Sequence, residues 1–329
     1  MSAHAPRRLP AGPVMLGVES LALTDADRAR LLHPAVGGVI LFARNYASRE
    51  QVTALTTEIR ALRDPPLVIA VDHEGGRVQR FRDGFTAVPP MRTLGTRYDD
   101  DAAGALDEAR HWGALIATEL GACGIDFSFT PVLDLDYGES AVIGHRAFHA
   151  DAADVGALAG ALCEGLHARG MAAVGKHFPG HGRVAADSHV ALPVDARELD
   201  DLMGTDVVPF AELIARDAID GVMPAHIVYP AVAPEPAGFS SRWLRTILRS
   251  ELRFDGLIFS DDLEMAGAHG AGDIVARADA ALAAGCDMVL ACNDFAAMDD
   301  LLARWSPAAN ARLADRVDRM RRRAPRVAH

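Results

Sequence analysis

The chain lacks the marks of several protein classes. No run approaches the about 18 apolar residues that would suggest a membrane-spanning helix. The stretch Met1 to Val18 holds Arg7 and Arg8 but no apolar segment of about 7–15 residues, so no secretory leader is expected. Cysteine is scarce: Cys123, Cys163, Cys286 and Cys292 lie in apolar contexts without metal-type spacing, and read as buried free thiols in a reducing compartment. Positive charge is in deficit. Lys plus Arg number 33 against 45 Asp plus Glu, a net charge of −12 that opposes a nucleic-acid or anionic-membrane role. The most basic stretch, Arg319 to Arg326, reads as the solvated face of a last helix. No Pro-, Gly- or Ser-rich linker, internal repeat or low-complexity segment divides the chain. A cytoplasmic, soluble, monomeric protein is expected, with residues 1–329 forming one domain.

What is present is a regular alternation. Half of the 329 residues are hydrophobic, enough for a large core. Short, almost continuously apolar runs occur at Val14–Val18, Gly38–Phe42, Leu67–Val71, Ile125–Thr130, Ala172–His177, Gly221–Pro224, Leu257–Ser260 and Asp287–Ala291. They are too short for helices and have the character of strands buried on both faces. Helical periodicity fills the intervals near 24–33, 48–62, 101–122, 152–169, 198–219, 241–253 and 273–284. A helical extension over about 294–323 follows. Strands alternating with helices in this way predict an α/β fold, a parallel (β/α)8 TIM barrel. The longest irregular connection, Asp72 to about Thr96, is rich in charge and glycine and reads as functional.

Barrel enzymes place their sites at the C-terminal strand ends. Here those ends carry Asp72-His73-Glu74-Gly75-Gly76 with Arg80, Asp134 and Asp136 with His145-Arg146, Lys176-His177, His226, Asp261-Asp262, and Cys292-Asn293. The densest is Lys176-His177-Phe178-Pro179-Gly180-His181-Gly182 followed by Asp187-Ser188-His189. So many groups that are costly to bury unpaired argue for a functional loop on a buried strand. Asp72 and Arg80 flank a Gly pair that lets backbone approach a ligand. Arg146 can pair with Asp134 or Asp136. Lys176 needs a carboxylate or sugar hydroxyls as a partner. Alternation along a strand should send one of Asp261 and Asp262 into the barrel mouth, where a carboxylate can act as nucleophile or electrostatic stabiliser. The other should turn towards the helices and cap the next turn. Asp187-Ser188-His189 has the spacing of a carboxylate that orients an imidazole.

Together, Val71 to Arg80, Ile143-Gly144-His145-Arg146-Ala147-Phe148, Lys176 to Gly182, Asp187-Ser188-His189 and Phe259-Ser260-Asp261-Asp262-Leu263-Glu264-Met265 resemble the β-N-acetylhexosaminidases of glycoside hydrolase family 3, over nearly the whole chain. One departure is His73, where Gln is expected. The resemblance implies a retaining, two-step release of terminal β-linked N-acetylglucosamine through a covalent glycosyl-enzyme. It implies Asp261 as nucleophile, His189 as general acid/base and Asp187 as its partner. Asp72, Arg80, Arg146, Lys176 and His177 then bind the sugar, with no cofactor and no metal. It further implies N-acetylglucosaminyl-anhydro-muramyl fragments as substrate, in cell-wall recycling and hence cell-wall biogenesis, cell shape and division. An imidazole suits the acid/base role because its ordinary pKa of about 6.5 lets it give and take a proton near neutrality. No second domain is expected after the eighth strand to supply the acid, so a barrel loop is expected to do so. The glycines of that loop suggest that it swings His189 over bound sugar.

Three other readings stay open on the residues. His177, His181, His189, His226 and several Asp are the residue types of a metal-dependent barrel hydrolase. A glycoside phosphorylase would use the same residues with phosphate in place of water. A sugar-binding protein without activity would need no set such as Asp261, Asp187 and His189.

Overall fold

The computed structural model describes residues 6–184, 192–307 and 310–321. At its centre is an 8-stranded parallel sheet. Its strands are β1 (Val14–Gly17), β2 (Val36–Leu41), β3 (Val68–Val71), β4 (Phe127–Ser128), β5 (Val174–Phe178), β6 (Gly221–Pro224), β7 (Leu257–Asp262) and β8 (Met288–Ala291). The hydrogen-bonded order is β4-β3-β2-β1-β8-β7-β6-β5. The bridges Phe127↔Ala172 and Val132↔Lys176 join the β4 and β5 edges. The sheet closes on itself, and the mixed α/β architecture is the barrel that the alternation predicts.

The apolar runs become strands because both of their faces are covered, by helices outside and by packed side chains within. Phe127, Phe129 and Phe259 pack inside the barrel with ring centroids 5.1–5.7 Å apart. The flanking helices start where short polar side chains can satisfy their first N–H groups. Ser48, Asp101, Asp151, Asp273 and Asp294 each cap a helix in this way. All four cysteines are free and buried.

Three local expectations are corrected. The stretch 198–219 is not one helix but two, Leu199–Gly204 and Val208–Ala215, with Pro209 in the first turn of the second, where a missing N–H costs nothing. The connection after β3 is not irregular throughout. His73–Gly75 pairs antiparallel with Val78–Gln79, and a helix spans Arg92–Asp100. Gly75 and Gly76 take the left-handed φ values of 109° and 55° that this tight turn requires. Arms of two or three residues are too short to leave a periodic signal. Arg319, finally, is not simply solvated: its guanidinium donates to the Asp255 carbonyl.

Candidate functional site

The C-terminal ends of the strands open into a cavity of about 560 Å³. Its floor is apolar, with Ile40, Phe129, Met223 and Leu290 resting on the aromatic interior of the barrel. Above the floor the lining turns abruptly polar. Asp72, Arg80, Arg146, Lys176, His177 and Asp261, singled out in the sequence, all line this one cavity. Asp187 and His189 lie outside the described residues.

Lys176 leaves β5 with its side chain almost fully buried, its ammonium 5.9 Å from the Phe129 ring centroid. A cation in such a place needs anions. It finds Asp72 Oδ1 at 2.8 Å and Glu74 Oε1 at 2.6 Å. Glu74, from the hairpin that follows β3, also receives Arg146 in a two-pronged contact, Nε to Oε2 and Nη2 to Oε1, both 2.8 Å. Arg80 completes the chain, 3.4 Å from Asp72 Oδ2. Arg146 therefore pairs with Glu74, which the hairpin brings within reach, and not with Asp134 or Asp136, the partners the sequence left open.

Burial alone would raise the Glu74 carboxyl, but Arg146 and Lys176 outweigh it and hold the group well below the usual carboxylate range. Asp72 is lowered in the same way, burial being overcome by Lys176 and then Arg80.

A second buried carboxylate serves His177. Asp134, fully buried beyond the end of β4, accepts the His177 ring Nδ1 at 2.7 Å, the His177 backbone N–H at 3.2 Å and the His181 backbone N–H at 2.7 Å. Burial would raise Asp134, yet the neighbouring His177 and His181 hold it below its ordinary value. An ionised carboxylate can only accept, so the His177 ring donates through Nδ1. Glu74 and Asp134 stood among the strand-end residues noted in the sequence, but neither was given the partner that the structure shows. The available signal was the buried cation at Lys176, which needed more negative charge than Asp72 alone supplies.

At the end of β7, Asp261 and Asp262 both line the cavity. Asp262 does cap the next turn, accepting the Glu264 N–H at 3.1 Å, but it stays at the mouth beside Asn293 rather than turning away to the helices. Burial and then the Glu264 carboxylate push Asp262 above the ordinary Asp value. Asp261 accepts the Asp262 N–H at 2.8 Å. Behind them His226, buried and lying on Phe239, sits with Nε2 3.1 Å from the Asp262 carbonyl. His73 packs against Phe81 and Phe85, where burial pushes it down to about 4. It is absent from the cavity lining, so the departure at this position leaves the wall unchanged. Among the described residues, no group of three or more His, Cys, Asp or Glu is placed to hold a metal ion.

Comparison with known proteins gives the family. Residues 14–322 match the model of the glycosyl hydrolase family 3 N terminal domain. A beta-hexosaminidase of Chromobacterium violaceum is 59% identical over 312 residues, which cover 95% of this chain and 87% of the relative. A beta-hexosaminidase of Bordetella avium is 58% identical over 324 residues, 98% of this chain and 91% of the relative. Among solved structures, NagZ from Neisseria gonorrhoeae in complex with N-trifluoroacetyl-D-glucosamine is 51% identical. Its TM-score is 0.92, and the match covers 97% of this chain and 92% of that one.

Proposed function

The chain belongs to glycosyl hydrolase family 3 and is a β-hexosaminidase, and from that premise we propose that it is a retaining β-N-acetylglucosaminidase with Asp261 as its nucleophile. The observation that carries this reading is the single cavity in which Asp261 shares a wall with Asp72, Arg80, Arg146, Lys176 and His177. The terminal N-acetylglucosamine lies on the apolar floor, its hydroxyls bonded by Asp72, Arg80, Arg146, Lys176 and His177.

In the first step a carboxylate oxygen of Asp261 attacks the anomeric carbon as the glycosidic bond breaks, and His189 as imidazolium gives its proton to the departing oxygen. In the second step neutral His189 takes a proton from water, whose oxygen attacks the same carbon and frees Asp261. Two displacements retain the β configuration. Most retaining glycosidases use two carboxylates about 5–5.5 Å apart, and here an Asp187–His189 pair takes the place of the acid carboxylate.

The substrate is an N-acetylglucosaminyl-anhydro-muramyl fragment of peptidoglycan, met in the cytoplasm during cell-wall recycling by a monomeric enzyme. The likeness of the motifs to this branch of the family supports that assignment. The test is product identification from a peptidoglycan-derived disaccharide, with and without phosphate, for the native protein, Asp261→Ala and His189→Ala. Free β-N-acetylglucosamine is expected as first product from the native protein, with turnover lost in Asp261→Ala. Retained turnover in Asp261→Ala refutes the nucleophile, and a phosphorylated sugar refutes hydrolysis.

A further inference from the structure

We propose that Asp134 is a positioning residue of this site, which fixes His177 as the Nδ1–H tautomer and so presents an unprotonated Nε2 to the sugar. The inference rests on the sugar-binding role given to His177 above and goes beyond it, because Asp134 does not line the cavity.

The argument begins with cost. A fully buried carboxylate is expensive unless its lone pairs are used. Asp134 uses them on one short stretch of chain: Oδ2 takes the His177 ring at 2.7 Å, and Oδ1 takes the backbone N–H groups of His177 and His181 at 3.2 and 2.7 Å. No Lys or Arg among the described residues pairs with it. Three donors on a five-residue segment are more than simple burial of an acid requires. They set the backbone that leaves β5 and the ring that it carries.

Continuity of the packing supports this. A Cβ at Gly182 would overlap the carbonyl of Leu135, the residue after Asp134, so the segment lies directly on the strand extension that carries the carboxylate.

The consequence is chemical. With Nδ1 donating to Asp134, Nε2 of a neutral ring is an acceptor. Lys176, Arg80 and Arg146 bring donors only, and Asp72 already accepts from Lys176 and Arg80. His177 therefore supplies an acceptor for a sugar hydroxyl beside cations that only donate and carboxylates, Asp72 and Glu74, that those cations already engage. Were Asp134 replaced by Asn, the amide could donate to Nδ1, and the ring would turn to the Nε2–H form, exchanging that acceptor for another donor.

The test combines a tautomer measurement with a double-mutant cycle. In the native full-length protein labelled with 15N-histidine, the His177 signals, identified by their loss in His177→Ala, should show Nδ1 protonated and Nε2 bare near pH 8. A native Nε2–H tautomer overturns the proposal without any need for Asp134→Asn to fold. In Asp134→Asn the tautomer should invert. Its kcat/KM on a chromogenic N-acetylglucosaminide should fall about 10- to 100-fold through KM, the cost of leaving one buried sugar hydroxyl without its acceptor. In the His177→Ala background the same change should cost under about threefold, since its target is gone. Losses that multiply in the double variant would mean that Asp134 acts elsewhere, and would overturn the proposal. Full activity in His177→Ala alone would instead refute the sugar-binding role of His177, while the tautomer result still reported on Asp134.

Discussion

Replacing Glu74 by Gln keeps the shape of the side chain and removes its charge. In the native protein this carboxylate accepts Arg146 twice at 2.8 Å and Lys176 at 2.6 Å, and it is only 2% exposed. Taking one partner from a buried ion pair costs about 3–5 kcal/mol, because the other charge stays buried without compensation. The lower end applies here. Gln keeps one carbonyl oxygen for one of the donors, and Asp72 remains 2.8 Å from Lys176. Arg146 suffers most, since among the described residues the one other hydrogen-bond partner of its guanidinium is the Val142 carbonyl at 3.2 Å. Unfolding entropy of about 2.1 cal/mol/K per residue makes about 3 kcal/mol equivalent to a fall in Tm of about 4 °C for a chain of this length. Release of two cations that the proposed function assigns to the sugar should also lower kcat/KM on the order of 10²-fold.

The pH dependence gives a sharper check. Glu74 is depressed in the folded state, so its stabilisation is present above the unfolded Glu value of about 4.3 and lost as pH falls below it. The gap in Tm between native protein and Glu74→Gln should stay constant from about pH 5 to 8 and narrow only below about pH 4. Thermal unfolding by circular dichroism over that range, with steady-state kinetics at pH 7, measures both effects. An unchanged Tm with native kinetics would refute the view that Glu74 holds the cationic wall.

Three further outcomes are expected. His189→Ala should lose about 10²–10⁴-fold in kcat/KM on a substrate with a poor leaving group and far less on a nitrophenyl glycoside, so equal losses would count against its role as acid. Asp262 is raised in the folded state by burial and Glu264. Its stabilising contribution is complete below the unfolded Asp value of about 4 and fades by about 1.4 kcal/mol per pH unit as pH rises towards the folded value. Asp262→Asn should therefore remove part of the native decline in Tm above pH 4, and parallel curves would contradict the shift. Gly182→Ala must displace the segment from Leu135, costing about 1–3 kcal/mol and lowering kcat/KM, whereas a native Tm and native kinetics would show that the close approach is not required.

Much of the barrel was legible because its strands are apolar runs bounded by polar turns, and burial on both faces leaves that mark directly on the sequence. The run Gly221–Pro224 coincides with β6 at both ends, and the helical intervals near 152–169 and 273–284 hold the helices that Asp151 and Asp273 cap. The cavity-lining residues were legible for a related reason: Lys176-His177 and Asp261-Asp262 interrupt apolar strands abruptly. The partners were not. Glu74 and Arg146 are 72 residues apart, and Asp134 and His177 are 43 apart. Closure of the barrel decides which strand ends meet, so charge near Arg146 in sequence pointed to Asp134 and Asp136, while the hairpin after β3 delivered Glu74. Asp261 and Asp262 expose a limit of strand alternation. It assigns opposite faces within a ladder, but the register of β7 with β8 shifts between Phe259 and Asp262, and both carboxylates reach the mouth.

The same pairings explain how Asp261, the nucleophile proposed above, can coexist with so many cations. A carboxylate locked in a salt bridge is stabilised as a base and weakened as an attacking group. Lys176, Arg146 and Arg80 are committed to Asp72 and Glu74, and the His177 ring to Asp134. Among the described residues no Lys or Arg forms a salt bridge with Asp261, whose Oδ1 accepts the Asp262 backbone N–H at 2.8 Å. That bond orients the carboxylate without neutralising it. Glu74 and Asp134 therefore act twice under this proposal. They hold the groups that grip the sugar, and by absorbing the charge and the ring proton of those groups they leave the Asp261 carboxylate available for the anomeric carbon.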